Sequence, residues 1–566
     1  MHVLRTLLLL GLPLMLNVTL HAEGSSAAQQ SAAHVTDPAS TYVPIESWVY
    51  AAIDRLASEG YIQSAFNSLR PWTRTECQRL LEEAHDRFDA DYAPEDAAPL
   101  LHRLDVEFTP EAQRIDGTRR GEAVIESIDT RTTFIAGRPL ADGYHFASTI
   151  VNDYGRPFGQ GLNTYSGLSA RAASGPFAAY VRVEVQQVPA LPSLSSTVQS
   201  AIAAADITRT AAVGPFANFT RGRLLDAYGS FTFSGNQISL GQQTLWWGPA
   251  RSGATLFSNN AEPILMLRYD RVHPFMLPGF LRVLGPVRAQ FMVGRLGGTQ
   301  FTQVAGTMYG APGVALSDQP FLHGEKISFK PTPNFEFSVS RTLLFGGNGS
   351  PVNTATFFRS IASVGTNNDK NDPGDRRSGV DVQYRIPGLR QCLTGYFDGF
   401  ADDQPFPLVY PTESAWLSGL SLRCVPRLPR LSLRAEGLLT PHRNLTFPGF
   451  FYYNVHFVSG YTNQRQLIGS WIGREGDGEQ LWATWQLSPR SSLEVSGRSM
   501  TVNREFLQGG SLRDLRFAAD IAVHPEWQLH IEGQTEWWHF PLLDAQPQHN
   551  AAVTLQLSYR PAARTQ

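Results

Sequence analysis

The chain has 566 residues, with charged residues at 17%, aromatics at 11% and a formal net charge of -3. Mean hydropathy is -0.19, too low for a bundle of membrane helices, and no basic excess is present to grip nucleic acid. Low charge together with 49 glycines and 37 prolines suits a turn-rich all-β protein. It suits a transmembrane barrel in particular, where lipid-facing and lumen-facing residues alternate and average out.

In chain order, Arg5, the apolar run Thr6–Leu16 and Leu20-His21-Ala22 read as a signal peptide over residues 1–22. The apolar run is too short to span a bilayer, which needs about 20 residues. Residues 23–41 are rich in Ala, Ser and Gln and read as a flexible linker. Residues 42–118 read as a small helical domain. Trp48, Val49, Ala52, Ile53 and Leu56 form a helical stripe, stopped by Gly60. Thr73 and Glu76 have capping-box spacing at the start of a second helix, and a third is expected within Glu95–Phe108.

From residue 122 to 566 the period changes to two. Tyr180-Val-Arg-Val-Glu-Val185, Phe335-Glu-Phe-Ser-Val-Ser340, Val380-Asp-Val-Gln-Tyr-Arg-Ile386 and Val553-Thr-Leu-Gln-Leu-Ser-Tyr559 alternate apolar with polar or charged residues. Roughly eighteen to twenty-one such runs of about ten residues occur, joined alternately by short and long connectors, which is the pattern of an outer-membrane barrel. Cys77, Cys392 and Cys424 make no framework. In-strand alternation places Cys392 and Cys424 on opposite faces, so all three are expected to be free.

No His-Glu-x-x-His, Gly-x-Ser-x-Gly or phosphate-cradling loop is present, so no catalytic residue, metal or cofactor is expected. Asp402-Asp403 and Glu475-Gly-Asp477 have the carboxylate chemistry of Ca²⁺ ligands but lack the ligand count of an EF-hand, and read as solvated loop charge. Two clusters have the chemistry of sugar contact: aromatic platforms beside amides and guanidinium groups. The first is Trp246, Trp247, Gly248, Pro249, Arg251, Ser258, Asn259 and Asn260, a connector that either binds polysaccharide or closes the barrel. Its Gly-Pro corner argues against strand. The second is Tyr452, Tyr453, His456, Tyr461 and Asn463. Arg251 and Arg465 are candidates to pair carboxylates of an acidic polymer. Trp537-Trp538 reads as an interface girdle.

Several stretches carry a resemblance. Tyr42-Val-Pro-Ile-Glu-Ser-Trp-Val-Tyr50, Asp54-Arg-Leu56, Gly60 and Arg70-Pro-Trp-Thr-Arg74 look like the opening of the capsule assembly Wzi family. Trp247-Gly-Pro249, Ser258-Asn-Asn-Ala261, Pro263, Gly379-Val-Asp-Val-Gln-Tyr384, Asp402-Asp403, Gly419-Leu420 and the segment from Tyr461 to Gly478 resemble its later motifs. The resemblance implies an all-β transmembrane barrel of about eighteen antiparallel strands. It also implies a small N-terminal α-helical domain in the periplasm and a lectin-like surface that attaches capsular polysaccharide at the bacterial outer membrane. Expected partners are capsular or other surface polysaccharide, outer-membrane lipid, and peptidoglycan or periplasmic assembly proteins. Residues 45–81 also resemble one S-layer homology unit. That leaves an alternative: a porin or transport channel whose periplasmic domain binds the cell wall.

Overall fold

The protein is described here from a computed structural model, which covers residues 38–88, 97–207, 213–350, 352–362, 374–387, 392–402, 406–423, 425–440 and 447–561. The signal sequence 1–22, most of the linker 23–41, Asp403 and Cys424 lie outside the described residues.

Eighteen antiparallel strands close one barrel. They are β1 Gly121–Ala136, β2 Gly161–Ser174, β3 Phe177–Val188, β4 Phe219–Phe233, β5 Asn236–Gln243 and β6 Ile264–Arg271. There follow β7 Pro286–Arg295, β8 Phe321–Thr332, β9 Phe335–Phe345, β10 Gly374–Arg385, β11 Leu393–Asp402 and β12 Ser414–Leu422. The last six are β13 Leu431–Leu439, β14 Gly476–Ser488, β15 Ser491–Val502, β16 Gly510–His524, β17 Trp527–His539 and β18 Gln548–Tyr559. Consecutive strands pair, and β18 pairs back onto β1 from Ile128↔Tyr559 to Ala136↔Ala551. Closure leaves neither end of the sheet as a free edge, the requirement for backbone in hydrocarbon.

The strands form because their alternation matches a wall with oil outside and polar groups inside. On β6, Leu265 and Leu267 are exposed, whereas the alternate positions Met266, Arg268 and Asp270 are buried. Rings line the outer wall near the short turns: Phe177 against Phe231, Phe329 against Phe337, Phe335 against Tyr384, and Trp527 against Tyr559. Such a belt sits where hydrocarbon meets headgroups. Trp537 faces outward like these rings, but Trp538 points inward, is buried, and donates Nε1–H to Arg138 O at 3.1 Å.

Three helices sit at the short-turn end: α1 Trp48–Ser58, α2 Arg74–Arg87 and α3 Ala97–Ile115. Thr73 caps α2 by accepting Glu76 N–H at 3.2 Å. The reciprocal half of the capping box is absent, because the Glu76 carboxylate pairs with Arg79 instead. The third helix runs past its predicted end and through Pro110. Its extra turns deliver Glu111 and Arg114 to a buried ionic cluster: Arg74 Nε donates to Glu111 Oε1 at 2.7 Å, and Arg171 of β2 donates to the same oxygen at 3.2 Å. Residues 38–41, at the end of the stretch read as linker, are buried, and Arg114 Nη1 donates to Ala39 O at 2.6 Å.

The helices also seal against the wall elsewhere. Glu336 of β9 accepts the N–H groups of Asn67 and Ser68, each at 3.0 Å. Lys330 of β8 donates to Ala65 O and Arg385 of β10 to Ala57 O, both at 2.9 Å.

The cysteine expectation is corrected at one position: Cys392 is disulfide-bonded. It precedes β11 and lies outside strand pairing, so in-strand alternation does not set its side-chain direction. Cys77 is free and buried.

Candidate functional site

The connector 244–263 does not project from the barrel. It leaves the wall at Gln243, crosses the lumen and rejoins at Ile264. Trp246–Trp247 forms a two-residue strand despite the Gly-Pro corner, because it finds a partner from the other side of the barrel. That partner is Leu69–Arg70 of the helical unit, paired antiparallel as Leu69↔Trp247 and Arg70↔Trp246.

Trp247 is 1% exposed. Its Nε1–H donates to Gln290 Oε1 of β7 at 2.8 Å, and its ring meets Phe257 edge-to-face at 4.7 Å. The adjacent strand β8 makes room: a Cβ on Gly324 would stand 2.9 Å from the indole. Gly248 is equally constrained, since a Cβ there would lie 2.6 Å from Asp398 Oδ2. After Pro249 the chain anchors to wall carboxylates. Glu436 of β13 accepts the N–H groups of Arg251 and Ser252 at 2.7 and 2.9 Å. Asp398 of β11 accepts Thr255 N–H at 2.8 Å and its hydroxyl at 2.7 Å. Buried peptide groups need such partners, and carboxylates supply strong ones. Arg251 alone keeps an accessible head, 41% exposed, paired with Glu494 of β15 at 2.7 Å over the Trp482 ring.

Ser258, Asn259 and Asn260 are buried. Ser258 Oγ donates to Gly469 O at 2.7 Å and Asn260 Nδ2 to Leu467 O at 3.1 Å. Asn259 O accepts Tyr154 N–H at 2.6 Å. These bonds join the first cluster to the second. Tyr452 Oη donates to Thr255 O at 2.7 Å, and Asn463 Nδ2 donates to Glu262 O at 2.8 Å. Tyr453 Oη donates to Asp206 O at 2.7 Å, and the Tyr461 ring lies under the Arg377 guanidinium at 4.6 Å. Tyr452, Tyr453, Tyr461 and Asn463 are buried; His456 is exposed, its Nδ1–H donating to Gln303 O at 3.1 Å. The two clusters are thus one body that fills the lumen.

Sequence reading missed a third group, because its members stand far apart in the chain. His145 lies between Asp142 and Asp206, at 2.8 and 3.1 Å, and Arg474 Nη1 donates to Asp206 Oδ1 at 2.5 Å. Asp206 follows the helix α4 Ser196–Ala205. Burial pulls the His145 imidazolium down, but the two carboxylates overcome it and raise its pKa to about 9. The cluster pins α4 and two long loops together. Among the described residues, no group of His, Cys, Asp and Glu has the arrangement of a metal site.

Comparison with known proteins agrees with this architecture. The model of the family described as capsule assembly protein Wzi matches residues 130–553. A Klebsiella pneumoniae protein, described as an uncharacterized 55.8 kDa protein in the cps region, is 25% identical over 198 residues, or 34% of this chain and 36% of that protein. The match therefore spans about a third of that relative's length. Among solved structures, Escherichia coli Wzi, described as an outer membrane protein involved in group 1 capsule assembly and a carbohydrate-binding β-barrel, superposes with a TM-score of 0.64. It is 14% identical, and the match covers 93% of this chain and 100% of that one. Acinetobacter baumannii OccAB2 reaches a TM-score of 0.41 at 9% identity, over 78% of this chain and 98% of its own. With a family match running from the first strand to the last, this chain belongs to the capsule assembly Wzi family.

Proposed function

We propose that the protein binds capsular or another surface polysaccharide at the bacterial outer membrane and helps anchor or assemble it there, without catalysing a reaction. The carrying observation is the crossed lumen: a connector held by β7, β11, β13 and β15 meets the helical unit in mid-barrel. That supports a platform rather than a channel. The buried members of the two clusters close the barrel and set the loops rigidly, and sugar contact falls to groups left accessible at the long-loop rim. Weak contacts repeated along a polymer raise effective concentration, so modest affinity per unit holds a long chain. In this reading residues 1–22 are removed on export, and the helical unit faces the periplasm, where assembly proteins or peptidoglycan can reach it.

Two measurements test the reading. Planar bilayers containing the purified protein should carry no steady current; an open channel instead supports the solute-transport alternative. Cells lacking the protein should shed polysaccharide into the medium. Unchanged retention of the polymer on such cells defeats the attachment reading.

A further inference from the structure

The barrel wall steps down after β4. Residues 227–233 pair with β5, but residues 219–226 have no strand partner on that side among the described residues. β5 and β6 have 8 residues each against 15 in β4. The result is a notch at the long-loop rim with a bare strand edge along it, a feature barrels otherwise avoid. On the facing side, Gln464 N donates to Gly297 O at 2.7 Å. That bond sets into the notch a hairpin in which Asn463 pairs with Gln466. The two turn residues, Gln464 and Arg465, have φ of 51° and 65°, positions that favour Asn and Gly. Strain of this kind collects at sites that need a side chain held in place.

The notch is lined by guanidinium groups, among which Arg221 Nε donates to Gln186 Oε1 at 3.3 Å and Arg223 Nη2 donates to Tyr154 O. Arg221 has a side chain 46% exposed, with its nearest acid, Glu262, at 3.6 Å. Arg223 is only 5% exposed, yet its Nε and Nη1 make no hydrogen bond. Arg465 lies under Gly214, where a Cβ would stand 3.0 Å from its Nη1. Among the described residues Arg465 makes no ion pair. Arg221 and Arg223 thus share Glu262, and Arg223 also has Glu184 3.9 Å from its Nε. Beside them the rings of Phe216 and Phe219 meet edge-to-face at 5.4 Å, and the Arg221 guanidinium lies 5.2 Å above Phe219.

We propose that this notch is the subsite for an acidic sugar unit. The sugar carboxylate pairs with Arg221 and Arg465, its ring packs on the Phe216–Phe219 pair, and its hydroxyls bond the unpaired backbone of residues 219–226. Arg–carboxylate pairs are bidentate and directional, and an aromatic pair gives the apolar sugar face a platform. The proposal rests on the attachment reading and adds to it the chemistry and the place of contact.

The test uses the full-length protein in detergent micelles. The probes are the surface polysaccharide purified from the producing cells and the same polymer with its carboxyl groups reduced to alcohols. Wild-type protein should bind the native polymer at least tenfold more tightly than the reduced one. The Arg221→Ala/Arg465→Ala double variant should lose that preference with an unchanged unfolding midpoint. Arg465→Lys, which keeps the charge but not the fork, should retain only part of it. Equal binding of both polymers, full preference in the double variant, or a polymer without acidic groups overturns the subsite and leaves attachment standing. A protein strand adding to the bare edge would be blind to carboxyl reduction and falls under the same outcome. Failure of wild-type protein to bind the native polymer at all defeats the attachment reading itself.

Discussion

Replacing Trp247 with Ala is the sharpest probe of how the barrel is closed. The indole is fully buried, packs on Phe257 and bonds Gln290. Truncating a buried Trp costs about 3–5 kcal/mol in transfer and cavity terms. Loss of the donor to Gln290 adds about 1–3 kcal/mol, reduced because Gln290 Nε2 still donates to Asp270 at 3.0 Å. A conservative total of about 4 kcal/mol corresponds to roughly a thousandfold rise in the ratio of loosened to closed connector. The wall does not share the loss, because its ladders run strand to strand without Trp247. The expected phenotype is therefore a folded barrel that conducts intermittently in planar bilayers and is cut by protease within 244–263. Trp537→Ala, which trims an outward ring, should conduct no more than wild type. A silent Trp247→Ala barrel, or equal conductance from the two variants, refutes the assignment of Trp247 as the closing contact.

Three more outcomes follow from local geometry. Gly248→Ala forces a Cβ to 2.6 Å from Asp398 Oδ2 and 2.9 Å from Ala254 Cβ. Overpacking of this kind costs about 1–3 kcal/mol, visible as a lowered midpoint in near-ultraviolet circular dichroism; an unchanged midpoint contradicts the contact. His145 has its pKa raised to about 9 from an ordinary 6.5, so its contribution of about 3 kcal/mol is complete below pH 6.5 and lost as pH rises through 9. Unfolding midpoints should fall across that window in wild type and stay flatter in His145→Asn. Glu111→Gln strips the shared carboxylate from Arg74 and Arg171, which costs about 3–5 kcal/mol and should expose the helical unit to limited proteolysis. The same carboxyl is buried, yet Arg74 and Arg171 hold it down at about 2. Its contribution is therefore present above pH 4.5 and fades as pH falls toward 2.

The wall was legible because each strand states its two faces in its own alternation, as Leu265, Met266, Leu267 and Arg268 do. The helices were legible through their stripes and caps. What the sequence hid was inside. Trp246–Trp247 becomes strand only by meeting Leu69–Arg70, a pairing across more than 170 positions that no local signal announces. Trp, Tyr and Asn look the same whether they face sugar or fill a lumen. Their burial is set by Glu436, Asp398 and Gly324 on distant strands, so the sugar-contact expectation for Trp247 and Tyr452 had no local test. His145, Asp206 and Arg474 escaped for the same reason. Cys392 misled because it sits one residue before its strand, where alternation has no force.

The charge inside the barrel bears on function independently of any one residue. Arg268, Arg288, Arg377, Arg474 and Arg498 are each buried, and each pairs with a carboxylate: Arg268 with Asp270 on its own strand, the others with a carboxylate of another strand or loop. A hydrated pore would leave such groups in water, where pairing contributes little. Taken out of water they carry a large desolvation penalty, offset only when every partner is in place. The connectors that fill the lumen create that penalty and also supply part of its compensation, through Thr255 to Asp398 and Tyr461 to Arg377. Wall and filling are therefore specified together. Withdrawing the filling would leave carboxylates and guanidinium groups mismatched, so the filled barrel is the stable state.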